Sequence, residues 1–247
     1  MFAYDGAGFC GFELQPGKKT IRREIEDALA RLFKTRIKIS GASRTDAGVH
    51  ALHQIASFKL RHPIPTAKIP AALNSRLPED IRVLRAEEVS GDFNARARGK
   101  GKEYEYLIYN GKPSPVHFRG CVWPVKPKLN LSAMRRAASV LLGKHDFSSF
   151  CAAGSGRKNF VRTLYSIKIK KRRINIWEGC ALPVVSCKFA GNGFLYKMVR
   201  NMTGTLVEAG AGKISLTEFK NILRAKDRRL AGKTAPPQGL CLVKWFA

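Results

Sequence analysis

Acidic residues are scarce in this chain. Its 247 residues carry 18 Asp and Glu against 45 Lys and Arg, a formal net charge of +27 at pH 7. That imbalance disfavours a cationic partner. It points to a polyanion, whose condensed counterions are released on binding, although an anionic membrane surface would attract such a chain too. Paired cysteines are also missing: Cys10, Cys121, Cys151, Cys180, Cys187 and Cys241 form no C-x-x-C pair. In a chain this long, such scatter argues against a disulfide framework and against zinc, and reads as reduced, buried thiols. The five histidines do not supply a metal site, because no Cys, Asp or Glu stands at helical spacing beside His50 and His53. No apolar run approaches the roughly 18 residues of a membrane span. Met1 to Gly6 lacks the basic and long apolar stretches of a signal peptide. The expectation is a cytoplasmic protein.

What is present is an ordinary globular composition, 45% apolar and 26% charged. The length allows one large domain or two small ones. Phe2 to Tyr4 reads as a short strand before a glycine-rich turn. Thr20 is placed to cap a helix to about Phe33, with Ile21, Ile25, Ala28, Leu29 and Leu32 on one face. Strands are predicted over 36–40, 54–60, 81–89, 104–109, 164–170, 184–189 and 240–246. Further helices are predicted from Pro70 to about Leu77, from a Ser132 cap to about Leu142, over Phe194 to Ala209, and from a Ser215 cap to about Leu223. The boundary between two α+β halves, 1–98 and 99–247, falls in the charged run before Tyr104.

One acidic side chain stands out. Asp46 lies in Arg44-Thr45-Asp46-Ala47-Gly48-Val49-His50. An Asp two residues before a Gly is most often a turn residue whose side chain caps local N–H groups. Three features point further. Arg44 and Asp46 are two apart, so an extended loop presents both to one side. Gly41, Ala42, Ala47, Gly48 and Ala51 leave room for another molecule near the backbone. The loop lies between two strand patterns, a rigid setting for a functional side chain. With no second acid close in sequence, a two-carboxylate glycosidase or a clustered magnesium site is disfavoured. What remains is one carboxylate kept ionised by arginine.

Tyr104 and Tyr106 follow the basic run Arg96, Arg98, Lys100 and Lys102. Alternating tyrosines on a strand are usually core and rim, but a basic strip leading to an aromatic face also suits an unstacked base. On the helix expected over 194–209, Lys197, Arg200 and Asn201 lie on one side. Lys197 reads as solvated there, and Arg200, between Val199 and Met202, does not read as pure surface.

These motifs resemble the tRNA pseudouridine synthase A family. The opening Tyr4-Asp5-Gly6 through Gly11-Phe12-Glu13-Leu14-Gln15 is similar to its first signature, and Ser43 to His50 to its central one. Asp92 to Arg96, Lys102 to Tyr106, Gly143 to Phe150, Phe194 to Gly204 and Ala235 to Val243 follow in the family's order. The resemblance spans nearly the whole chain. It implies two similar α/β-sandwich halves sharing a mostly antiparallel central sheet, the pseudouridine synthase fold, with the active cleft between them. It implies a cofactor-free, metal-free isomerase that converts uridine to pseudouridine at positions 38 to 40 of the tRNA anticodon stem-loop, working as a homodimer. By position, Asp46 would be the catalytic nucleophile. Tyr104 would stack on the flipped base and help in the later proton removal, Arg200 would pair with Asp46 and keep it ionised, Arg44 would fill or guide the space left by the extruded nucleotide, and Leu242 would line the uracil pocket. The chain begins inside the family's first strand. Phe12 stands where Trp is usual and Glu13 where Gln is usual. Ser43 replaces a Gly, which predicts strain if that position needs a positive φ. The alternatives are a non-catalytic tRNA-binding protein or RNA chaperone of the same fold, and, from charge alone, a ribosome-type structural protein.

Overall fold

Runs of strands are separated by helices along the chain. The first hundred residues hold β1 (Phe2–Tyr4), α1 (Ile21–Phe33), β2 (Ser40–Gly41), β3 (His50–Gln54), β4 (Ala56–Ser57), α2 (Ile69–Asn74) and β5 (Ile81–Val83). The remainder holds β6 (Gly101–Tyr109), β7 (Trp123–Pro124), α3 (Leu131–Ser139), β8 (Gly143–Asp146), β9 (Val161–Trp177) and β10 (Cys180–Gly191). After these come α4 (Met198–Gly210), α5 (Leu216–Ala225) and β11 (Leu240–Phe246). This computed structural model describes all residues except 61–63, 114, 155, 157, 178, 179 and 247, and the side chains of 176, 177 and 180. The chain forms two compact units, Met1–Lys100 with Cys241–Ala247, and Gly101–Leu240.

In the first unit, β1 pairs antiparallel with β5 and with β3. β11 joins β3 in parallel, setting Cys241 opposite His50 and Leu242 opposite Ala51. β2 and β4 form a separate antiparallel ribbon. The Thr20 hydroxyl accepts the Arg23 N–H and starts α1; Lys34, in the left-handed region at φ 54, ends it. Ile21, Ile25, Ala28 and Leu29 form its buried face.

In the second unit, β6, β10, β9 and β8 make an antiparallel sheet, with β7 parallel beside β6. Register sets Phe189 opposite Tyr104 and Cys187 opposite Tyr106, all on a buried face. On β9, Lys168, Lys170 and Arg172 alternate onto the solvent side. The buried Glu105 is compensated there by Arg172 at 2.7 Å and by the Ser186 hydroxyl at 2.5 Å. Both units are α+β with mostly antiparallel strands, the class expected. No helix among the described residues is long and apolar enough to cross a membrane.

Several boundaries differ from the sequence reading. Of 36–40, only Ser40 enters a strand; of 54–60, Gln54 ends β3 and Ala56–Ser57 form β4, while 55 and 58–60 lie outside any strand. The strand expected over 81–89 stops at Val83, and α2 starts at Ile69 and ends at Asn74. α3 is capped by Asn130, whose carboxamide accepts the Ala133 N–H, and not by Ser132. α4 begins at Met198, because Lys197 takes φ 55 and breaks the helical path before it. β9 and β10 run well past their expected ends. The thiols are not uniformly buried: Cys151 and Cys187 are, Cys10 and Cys241 are half-buried, and Cys121 is exposed.

Candidate active site

The loop between β2 and β3 carries Asp46. Its main chain turns where the Val49 N–H donates to the Asp46 carbonyl at 3.2 Å. Gly48, at φ 74, occupies the third position of that turn, where a positive φ favours glycine. Asp46 therefore opens the turn, half-buried, while Ala47 is exposed. The glycine-rich opening segment clasps this loop. The Phe12 N–H donates to the Thr45 carbonyl at 3.1 Å, and the Gly48 N–H to the Phe9 carbonyl at 3.2 Å. A side chain on Gly6 would place its Cβ 2.0 Å from the Val49 carbonyl oxygen. Gly6 thus lets the two segments approach, which a single methyl group would prevent.

Beneath the loop lies a buried polar network. Gln54, at the end of β3, accepts the Ser43 N–H at 3.1 Å and donates to the Ser43 carbonyl at 2.9 Å. Its amide also donates to the Tyr4 hydroxyl at 3.3 Å, and Tyr4 is 2.7 Å from the Thr45 hydroxyl. Ser43, Thr45, Gln54 and Tyr4 are all buried. Residues 43 and 45 are thereby fixed on either side of Arg44, whose side chain stays 59% exposed. Ser43 does not adopt a positive φ, so the expected backbone strain is absent. The departure from Gly shows elsewhere: the Ser43 hydroxyl is buried without a hydrogen-bond partner.

Arg44 meets a carboxylate of its own unit. Its Nε lies 2.8 Å from Glu13 Oε2, and Arg22 binds the other Glu13 oxygen. Burial alone would raise the Glu13 carboxyl, but the hydrogen bond from Arg22 and the charges of Arg22 and Arg44 outweigh it and hold it below its ordinary value. His50, just after the turn, has Nδ1 3.0 Å from Asp5. Leu242 is fully buried on β11, opposite Ala51 of the strand that leaves the loop.

The second unit places Tyr104 and Arg200 as follows. Tyr104, on β6, is buried, its ring edge-on to Phe194 at 5.2 Å. Tyr106 is fully buried and donates to the Pro236 carbonyl at 2.6 Å. Burial pushes the Tyr106 hydroxyl far above the usual tyrosine range, against the opposing charge of Arg200. Arg200, half-buried on α4, donates from Nε to the Ala235 carbonyl at 2.8 Å, and the Ala235 N–H returns a bond to the Arg200 carbonyl at 3.1 Å. The Ala235-Pro236 dipeptide thus ties the tyrosine strand to the arginine helix. Asn201 is not on a solvated face. It is fully buried, donates to the Phe150 carbonyl and accepts from Thr234 and Arg228. Among the described residues, no group of three or more His, Cys, Asp or Glu side chains is arranged to hold a metal ion.

The motif order has a direct counterpart among known proteins. A family model described as tRNA pseudouridine synthase matches residues 1–96 and 137–246. The chain belongs to this family. The matched segments include Arg44, Asp46, Arg200 and Leu242, while Tyr104 lies in the stretch between them. Curated relatives agree with the assignment. The chain is 44% identical to the tRNA pseudouridine synthase A of Bacillus subtilis (strain 168), over 97% of this chain and 94% of the relative. It is 42% identical to that of Thermoanaerobacter sp. (strain X514), over 98% and 95%, and 41% identical to that of Geobacillus kaustophilus (strain HTA426), over 100% and 92%. In this family member, the sequence reading missed Tyr4, Thr45 and Gln54, the three side chains that pin the Asp46 loop. The only signal of Tyr4 and Gln54 is polarity at strand positions that burial would otherwise give to apolar residues, and Thr45, in the loop itself, gives none.

Proposed function

We propose that the protein converts uridine to pseudouridine in the anticodon stem-loop of tRNA, at positions 38 to 40, with Asp46 as the catalytic carboxylate. The observation that carries this reading is the setting of Asp46. It opens a turn that glycine permits, over a buried clamp in which Gln54 satisfies both main-chain groups of Ser43, in a chain with a net charge of +27. A loop fixed in this way keeps a nucleophile in place without paying ordering entropy during the reaction.

The chemistry demands such a group. The reaction breaks a C–N glycosidic bond and forms a C–C bond, so uracil must detach, turn and reattach without escaping. The target base first leaves its stack, at a cost of a few kcal/mol. Phosphate contacts from the cationic surface offset part of that cost. In this reading Tyr104 stacks on the extruded base, Arg200 keeps Asp46 ionised, Arg44 occupies the gap left in the RNA, and Leu242 lines the uracil pocket. These roles rest on the motif resemblance. The working form is a cytoplasmic homodimer, which sedimentation at working concentration tests: a species of monomer mass only would contradict it. The relatives are named as synthases, which favours turnover over a binding-only role.

The direct test is to incubate an unmodified tRNA transcript with the protein and map pseudouridine by carbodiimide-dependent reverse-transcription stops. Stops at positions 38 to 40 are expected. Full conversion elsewhere with none at these positions would overturn the assignment of the target.

A further inference from the structure

Arg44 is the exposed end of a chain of charges that is otherwise fixed. Glu26, on α1, is half-buried and accepts the Ile39 N–H at 2.9 Å. The same carboxylate oxygen binds Arg22 Nε at 2.8 Å, and Arg22 in turn binds Glu13. The side chains of Glu26, Arg22 and Glu13 are 17%, 20% and 32% exposed, against 59% for Arg44. Three of the four members are therefore anchored to α1 and the opening segment. Arg44 reaches that anchor through one contact, Nε to Glu13 Oε2 at 2.8 Å.

A guanidinium fits a phosphate as well as it fits a carboxylate. RNA approaching Arg44 therefore competes with Glu13 for the same donor group. Glu13 cannot follow the arginine, because Arg22 keeps hold of its other oxygen.

We propose that Glu13 is a latch on Arg44: it holds the arginine in the RNA-free protein and releases it when RNA binds, so that it sets substrate affinity without touching the reacting atoms. The proposal rests on the reading of Arg44 as an RNA contact. Glu13 is a positioning residue in this account. The contact is exposed, and exposed pairs are weak, so the effect on affinity is roughly two- to fivefold.

The test uses the full chain and a fluorescein-labelled anticodon stem-loop RNA. Dissociation constants are measured by anisotropy at several salt concentrations, with kcat and KM on the unlabelled RNA, for Glu13→Gln, Arg44→Ala and the double variant. Gln keeps the shape of Glu and an oxygen for Arg22, and thermal melting checks that the fold persists; Glu13→Ala serves as a second variant with the same expected direction. The latch predicts that Glu13→Gln binds RNA about two- to fivefold tighter, lowers KM by a similar factor and leaves kcat nearly unchanged, with the salt dependence also unchanged because Arg44 meets the RNA in both proteins; Arg44→Ala should flatten it by about one phosphate contact. In the Arg44→Ala background the same substitution should change nothing. Equal tightening in both backgrounds would overturn the latch, since Glu13 would then act only by repelling RNA. Weakened or unchanged binding on Glu13→Gln would overturn it as well. If Arg44→Ala alone binds and turns over like the wild type, the reading of Arg44 fails and the latch fails with it. Pseudouridine formation by the wild type stays a separate readout of the proposed function.

Discussion

Gln54 holds the main chain of Ser43 from both sides, accepting its N–H at 3.1 Å and donating to its carbonyl at 2.9 Å. A single buried carboxamide thus does for this loop what a neighbouring strand does for a sheet edge: it satisfies donor and acceptor together. Replacing Gln54 by Leu leaves both Ser43 groups buried and unpaired. The expected cost is about 2–4 kcal/mol, read as a lower urea midpoint at constant slope. Because the loop also loses its register, kcat should fall roughly tenfold to a hundredfold. Wild-type stability and turnover in Gln54→Leu would show that the clamp does not position Asp46.

The same loop carries a defect that substitution should repair. The Ser43 hydroxyl is buried without a partner, and such a group is destabilising by about 1–3 kcal/mol relative to an apolar one. Ser43→Ala removes the hydroxyl and keeps the backbone, whose φ is not positive. A gain of about 1 kcal/mol in unfolding free energy is expected. A loss of stability would mean that the hydroxyl is satisfied in solution.

Acid should weaken the fold through identifiable carboxylates. For Asp146, burial would raise the carboxyl, but hydrogen bonds from the Ser148 hydroxyl and N–H, with Lys226 nearby, outweigh it and set it below its ordinary value. Glu13 is lowered in the same sense. A group lowered on folding binds fewer protons folded than unfolded, so its stabilisation is complete above its ordinary value and disappears as pH falls through the folded value. Melting temperature should therefore be level near neutrality and drop below the ordinary carboxylate range. Asp146→Asn should flatten that drop while lowering the melting temperature at neutral pH. An unchanged acid limb in the variant would remove Asp146 from the account.

What the sequence made legible was mostly local. Thr20 and Ser215 start their helices as read, and Ser215 closes a reciprocal capping box with Glu218. The Asp46 loop was legible because glycines mark it, but its flanking strands were not: β2 and β3 share only Ser40 and Gln54 with the stretches expected over 36–40 and 54–60. The misjudged boundaries depend on partners distant in sequence. β9 continues through Lys171, Arg172 and Arg173 because β10 pairs with it there, setting Arg173 opposite Pro183 and Arg172 opposite Val184. Nothing in that basic run announces a strand. The onset of α4 was hidden for another reason: the apolar pattern runs unbroken through Phe194 and Leu195, and only the left-handed backbone of Lys197 separates them from the helix. The support of the candidate site was hidden in the same way. Tyr4 and Gln54 are 50 positions apart, and the Tyr4–Gln54 bond exists only because β1 and β3 pair.

The most direct measurement of the central claim is tritium release from C5 of uridine in a labelled anticodon stem-loop RNA, comparing the wild type with Asp46→Asn. The substitution keeps the shape of the side chain and removes its charge. Steady release by the wild type and almost none by Asp46→Asn is expected, while the variant still binds the RNA with near wild-type affinity. Equal release by both proteins would contradict it.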